Sequence, residues 1–108
     1  MAQIGIVEQV RRVAKRRLLF LPHAVRQMAR PERMISTNEV REVVERGELI
    51  EDYPEDVRGH SCLFHGRGSG QRNIHVVCSP KEEYLAVITA YLPSADEWEA
   101  DSRTRKKS

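Results

Sequence analysis

The sequence predicts an α+β domain in which N-terminal helices pack on one face of a four-stranded antiparallel β-meander. Up to Gly47 the apolar residues recur at helical spacing; beyond it they fall in short β-branched and aromatic runs divided by turn residues. The last run, Tyr84–Leu92, is apolar on both faces, with Leu85 and Val87 as well as Ala86, Ile88 and Ala90, which places it inside the sheet.

Ile4, Val7, Val10, Ala14 and Leu18 trace one side of a first helix. Arg11/Lys15 and Arg12/Arg16 stack on its outer side as like-charged i,i+4 pairs, which weaken an isolated helix and call for an anionic neighbour. Leu18–Leu21 is short, bulky and bounded by Pro22, and is expected to be a strand or an extended link. Pro22 suits the first turn of a second helix, where its missing N–H costs nothing. That helix runs through His23–Ala29 and stops near Arg30, because the residue before Pro31 is steered away from helical angles. Ser36 with Glu39 forms a capping box for a third helix, Val40, Val43 and Val44 make its buried stripe, and Gly47 suits a left-handed residue after its end. Strands are expected at Leu49–Tyr53, Ser61–His65, Asn73–Ser79 and Tyr84–Leu92. Beyond a core of residues 3–93, the basic tail 94–108 is expected to dock through Trp98 and fray at its end.

The chain of 108 residues is one domain, too short for separate cofactor and substrate domains. No apolar run approaches the roughly 20 residues of a membrane span, and no secretory leader is evident, so the cytoplasm is expected. Cys62 and Cys78 are too few for a disulfide framework and suit buried thiols in a reducing compartment. The net charge of +2 conceals a segregation: residues 1–34 hold eight Lys/Arg against two Glu, and residues 35–57 hold two Arg against eight Asp/Glu. A basic face and an acidic face follow, suited to holding a polyanion on one side only.

His23, Arg26, Gln27 and Arg30 share one ridge of the second helix. An imidazole exchanges protons near neutral pH and guanidiniums hold phosphate by paired hydrogen bonds, the two needs of phosphodiester cleavage. Thr89 and Tyr91 share a strand face, and His75 projects opposite to Ile74 and Val76. The structural alternatives are a helix-start histidine bonded to backbone and a Thr and Tyr satisfied in a core. His60, Cys62, His65, His75 and Cys78 invite a zinc reading, but alternation sets Cys62 against His65 and Cys78 against His75, so no metal site is expected. The loop Gly66–Arg72 lacks the Gly-Lys-Ser/Thr ending of a phosphate cradle and leads into a strand, so it is expected to be a hairpin connection, with Arg67 and Arg72 within reach of nucleic acid.

The string LPHAVRQMARPERMISTNEVREVVERGELIEDY, followed by NIHVV, VITAYLP and WEADSRTRK, resembles the bacterial domain-of-unknown-function family 4258 over residues 15–106. The pattern of that family runs His-Ala, Arg-Met, a second Arg, a Ser/Thr-capped helix, His-Val-Val and Thr-x-Tyr-x-Pro; here Gln27 stands between Arg26 and Met28. The resemblance implies the RelE, barnase and colicin type of ribonuclease fold, and a toxin encoded beside an antitoxin. It further implies a metal-independent endoribonuclease without cofactor, cleaving mRNA by attack of the 2′-hydroxyl, with His23, Arg26, His75, Thr89 and Tyr91 as catalytic residues. In that scheme His23 or His75 takes the 2′-hydroxyl proton, Arg26 stabilises the phosphorane charge, Tyr91 orients the phosphate or acts as acid, and Thr89 bonds beside it. Arg30, Arg33, Arg72, Arg103, Arg105 and Lys106 are the expected RNA-backbone contacts. A second expectation, from the charge segregation, is a non-catalytic interaction protein that holds an acidic partner on its basic face. A DNA-binding regulator using residues 22–30 and 36–46 is disfavoured by the acidic surface of the latter helix.

Overall fold

Val10, Val13 and Ala14 supply the buried stripe of α1 (Ile6–Ala14) in a computed structural model that describes residues 5–106. Ile4, expected in this helix, lies outside the described residues, as do residues 107–108, where the tail was expected to fray. The other elements are β1 (Leu18–Phe20), α2 (Pro22–Met28), α3 (Thr37–Arg46), β2 (Glu48–Tyr53), β3 (Ser61–Arg67), β4 (Asn73–Pro80) and β5 (Leu85–Tyr91). Pro22 opens α2 and Ala29 closes it. The capping box of α3 is fully formed, the Ser36 hydroxyl accepting from the Glu39 N–H and the Glu39 carboxylate from the Ser36 N–H.

The strands lie in the order β1-β5-β4-β3-β2. The expected four-stranded antiparallel meander is corrected to a five-stranded mixed sheet, because β1 adds to β5 in parallel, Leu18 beside Leu85 and Phe20 beside Val87. This pairing gives partners to backbone groups that a plain link would leave open: the Leu85 N–H donates to the Arg17 carbonyl and the Leu21 N–H to that of Val87. Leu18 therefore belongs to the sheet, and α1 ends four residues before the expected Leu18, at Ala14. β5 is internal, as its two apolar faces required.

All three helices cover the same sheet face. Val10, Val13, Ala24, Met28, Val40, Val43 and Val44 pack there with Cys62, Phe64, Ile74, Val76, Cys78, Leu85, Val87 and Ala90 in one buried cluster. Cys62 and Cys78 are buried free thiols facing each other across β3 and β4.

The helix ends explain two of the arginines. Arg11 donates to the Val44 and Gly47 carbonyls (3.2 and 2.7 Å) at the negative end of α3, while Arg41 donates to the Ala14 carbonyl (3.2 Å) at the end of α1. Each helix thus caps the other, and the anionic neighbour that the basic stack of α1 called for is in part a helix terminus. The α1–β1–α2 segment, rich in Arg and Lys, leads to the β1 edge of the sheet, and acidic α3–β2 leads to the opposite edge.

Gly47 corrects a second expectation. Its backbone is extended (φ −77°, ψ −171°), not left-handed. Glycine is needed because β3 and the last turn of α3 close on it, so that a Cβ would strike the carbonyl oxygens of His65 and Val43. Gly47→Ala is therefore expected to lower stability by about 2 kcal/mol in chemical denaturation, the order of an overpacked core; an unchanged midpoint would contradict this contact. No helix among the described residues is long and apolar enough to cross a membrane.

Candidate functional site

The other sheet face carries the polar chemistry. Strand register sets Glu48, His65, His75 and Tyr91 in one row across β2, β3, β4 and β5. A register shift at Val77/Cys78 brings Thr89 opposite Val77, so Thr89 and Tyr91 share the His75 face, as their spacing predicts. His65 and His75 lie on the face opposite Cys62 and Cys78, the separation expected from alternation.

Residues 93–106 return over this face as a strap. Trp98, almost fully buried, stands edge-on to His75 with ring centroids 4.4 Å apart, and the Arg105 guanidinium stacks 4.6 Å over the indole. Arg105 grips Glu51 by two hydrogen bonds (2.6 and 3.0 Å), and Arg103 reaches Glu48 at 2.7 Å. The Arg105 guanidinium, aided by the Tyr53 hydroxyl, holds the Glu51 carboxyl below its ordinary range despite partial burial. Trp98 docks the tail as expected.

His75 is fully buried beneath this strap. One ring nitrogen, Nε2, lies 2.6 Å from the Ser102 carbonyl, which can only accept, so Nε2 carries the proton. Nδ1 then accepts from the Tyr91 hydroxyl at 3.3 Å. Burial lowers the His75 pKa against the opposing pull of the Ser102 bond, which favours the neutral ring. Burial likewise raises that of Tyr91, keeping it a phenol.

On the solvent side of Tyr91 opens a hollow of about 350 Å³, lined by His23, Gln27, Arg33, Thr89, Tyr91 and Glu97 among others. α2 supplies His23 and Gln27 and β5 supplies Thr89 and Tyr91. Arg33 is oriented into this group by its bond to the Gln27 side-chain oxygen (2.5 Å) and has no ion-pair partner among the described residues. His23, Thr89 and Tyr91 are thus brought together, with His75 directly behind Tyr91. Arg26 is exposed on α2 outside the lining.

The expected RNA-backbone residues divide. Arg30 and Lys106 are exposed, Arg30 touching Glu32 at 3.7 Å. Arg103 and Arg105 are held by the strap pairs. Arg72 turns inward and bonds to Glu39 and to the carbonyls of Arg33 and Met34. Glu39 is only 7% exposed. Burial raises its pKa, but Arg72 and the N–H groups of Ser36 and Ser69 outweigh this and hold the carboxyl at about 2. Gly68 admits this arrangement, since a Cβ there would strike the Glu39 carboxylate and the Ile74 side chain. Sequence reasoning missed Glu97 and the Glu39–Arg72 link; only the capping box marked Glu39 as special.

A family model described as a domain of unknown function, DUF4258, matches residues 20–92. The chain belongs to this family. The DUF4258 span takes in His23, Arg26, His75, Thr89 and Tyr91 and ends at Leu92, where the strap begins. No curated protein and no solved structure matches the chain.

Proposed function

We propose that this DUF4258 protein is a metal-independent endoribonuclease acting on mRNA, the toxin of a toxin–antitoxin pair with a cognate antitoxin as partner. The observation that carries this reading is the convergence of His23, Thr89, Tyr91 and Arg33 on one hollow open to solvent. Helices on one face of a mainly antiparallel sheet are also what a RelE- or barnase-like ribonuclease architecture requires, with parallel β1 an addition to it.

In the proposed reaction the 2′-oxygen bonds to the adjacent phosphorus while the bond to the 5′-oxygen breaks. His23, exposed on α2, accepts the 2′-hydroxyl proton, and Tyr91, its hydroxyl turned from His75 Nδ1 toward the substrate, delivers its proton to the departing 5′-oxygen. The products are a 2′,3′-cyclic phosphate and a 5′-hydroxyl; solvent returns the proton from His23 to Tyr91. Arg33 stabilises the phosphorane charge and Thr89 bonds a phosphoryl oxygen. His75, with both nitrogens engaged, acts behind Tyr91 instead of on RNA. Arg26, Arg30 and Lys106 contact flanking phosphates weakly and in a salt-sensitive way.

Purified protein with end-labelled mRNA in EDTA is expected to give cyclic-phosphate ends. His23→Ala and Tyr91→Phe are each expected to slow cleavage roughly 100-fold or more. Intact RNA, or an unchanged rate in His23→Ala, would remove the assignment.

A further inference from the structure

Two large apolar side chains near α2 stay in solvent: Val25 is 52% exposed and Met34 67%. Val25 lines an apolar groove of about 290 Å³ with Phe20, Met28, Ala29, Ile35 and Thr37. The groove lies beside β1, an edge strand of the sheet, and on a different side of α2 from His23 and Gln27, which face the hollow. Its surroundings are cationic. α2 contains no acidic residue, Arg26, next to Val25 in the chain, has no ion-pair partner among the described residues, and Arg30, next to Ala29, has only the Glu32 contact at 3.7 Å.

We propose that this groove docks an acidic, amphipathic segment of another protein, its apolar side chains against Val25, Met28 and Ile35 and its carboxylates against Arg26 and Arg30. The lining decides the class of occupant. With Thr37 as the only polar side chain and Phe20 as the only ring, it offers no set of donors for bases or phosphates, so nucleic acid has little to hold inside it. A second copy of this chain brings its acidic helix poorly equipped: the exposed residues of α3, Thr37, Asn38, Arg41, Glu42, Glu45 and Arg46, include no large apolar side chain to fill the groove. An amphipathic acidic segment supplies both requirements, apolar filling and opposite charge. The apolar lining of the groove and the hollow occupy different sides of α2, with Arg26 and Arg30 common to both readings, so peptide docking and RNA cleavage are tested separately and either can fail alone.

The test titrates the full chain with a fluorescent, helix-forming peptide of about 16 residues, with Leu along one face and Glu elsewhere. Its controls are the same peptide with Lys for Glu and a scrambled Leu/Glu peptide. The Leu/Glu peptide is expected to bind and to shift the backbone NMR signals of Val25, Met28, Ala29 and Ile35. Val25→Asp, at an exposed position where an unchanged melting temperature is expected, should lower its affinity tenfold or more, and Arg26→Glu/Arg30→Glu should reverse the preference toward the Lys peptide. Absent binding, equal binding of a control, or affinity unchanged in Val25→Asp would overturn the proposal. Dimerisation of the chain alone that Val25→Asp abolishes would replace it with self-association, and groove signals moved by a short RNA would replace it with nucleic-acid binding.

Discussion

Arg72→Ala is expected to lower the stability of the domain by about 3–5 kcal/mol, read as a fall in the denaturation midpoint, because it leaves the buried Glu39 carboxylate without its cation. The lost contacts extend beyond one ion pair. Arg72 also bonds the carbonyls of Arg33 and Met34, so it ties the loop after α2 to the start of β4, while Glu39 holds the Ser69 N–H and the first turn of α3. The pH dependence gives an independent check. The Glu39 carboxyl sits at about 2 against its ordinary 4.5, so the native state releases this proton more readily than the unfolded chain. Its contribution is complete above pH 4.5 and disappears as pH falls from there through about 2. Arg72→Ala should lose that acid-dependent segment of the stability curve; a variant with wild-type stability and an unchanged acid limb would show that the network carries no energy.

Trp98→Ala is expected to free the strap, at a cost of about 3–5 kcal/mol to its docking, the range for truncating a buried indole. Hydrogen exchange reports this locally: protection in residues 94–106 should fall while that of the helix-covered core persists. The His75 ring gives a second signal. Burial under the strap holds its pKa below the ordinary 6.5, so a released or unfolded state takes up the proton first as pH falls. Strap docking is therefore full above pH 6.5 and weakens below it, until the pH reaches the lowered value of the docked state. In Trp98→Ala, NMR titration should find His75 moved back toward 6.5; a ring still held low would mean that something other than the strap buries it.

Local chemistry wrote much of this fold legibly. The Ser36–Glu39 box, Pro22 at the start of α2 and the two-sided apolar run of β5 each depend on neighbours in sequence, and each appears where the pattern puts it. Face alternation was equally readable: it separated the histidines from the cysteines and joined Thr89 to Tyr91. What escaped depends on which distant segments meet. Three residues, Leu18–Phe20, carry too little periodicity to announce a parallel partner in β5. At Gly47 the spacing points to a backbone angle, whereas the real demand is the close approach of β3 and the last turn of α3, which no spacing records. The strap arginines looked available to RNA because their carboxylate partners, Glu48 and Glu51, lie more than fifty positions away. For the hollow, the sequence showed its histidine, threonine and tyrosine; that Arg33 and not Arg26 would face them turned on how the chain leaves α2.

The β1–β5 pairing also orders events during synthesis. Leu18–Phe20 emerge from the ribosome long before Leu85–Val87, and until the latter arrive the earlier segment has no strand to join. The hollow takes one wall from α2 and another from β5, so a nascent chain stopped short of Leu85 has helices but no completed cleft. Whatever this surface does, it begins only after β5 has been translated.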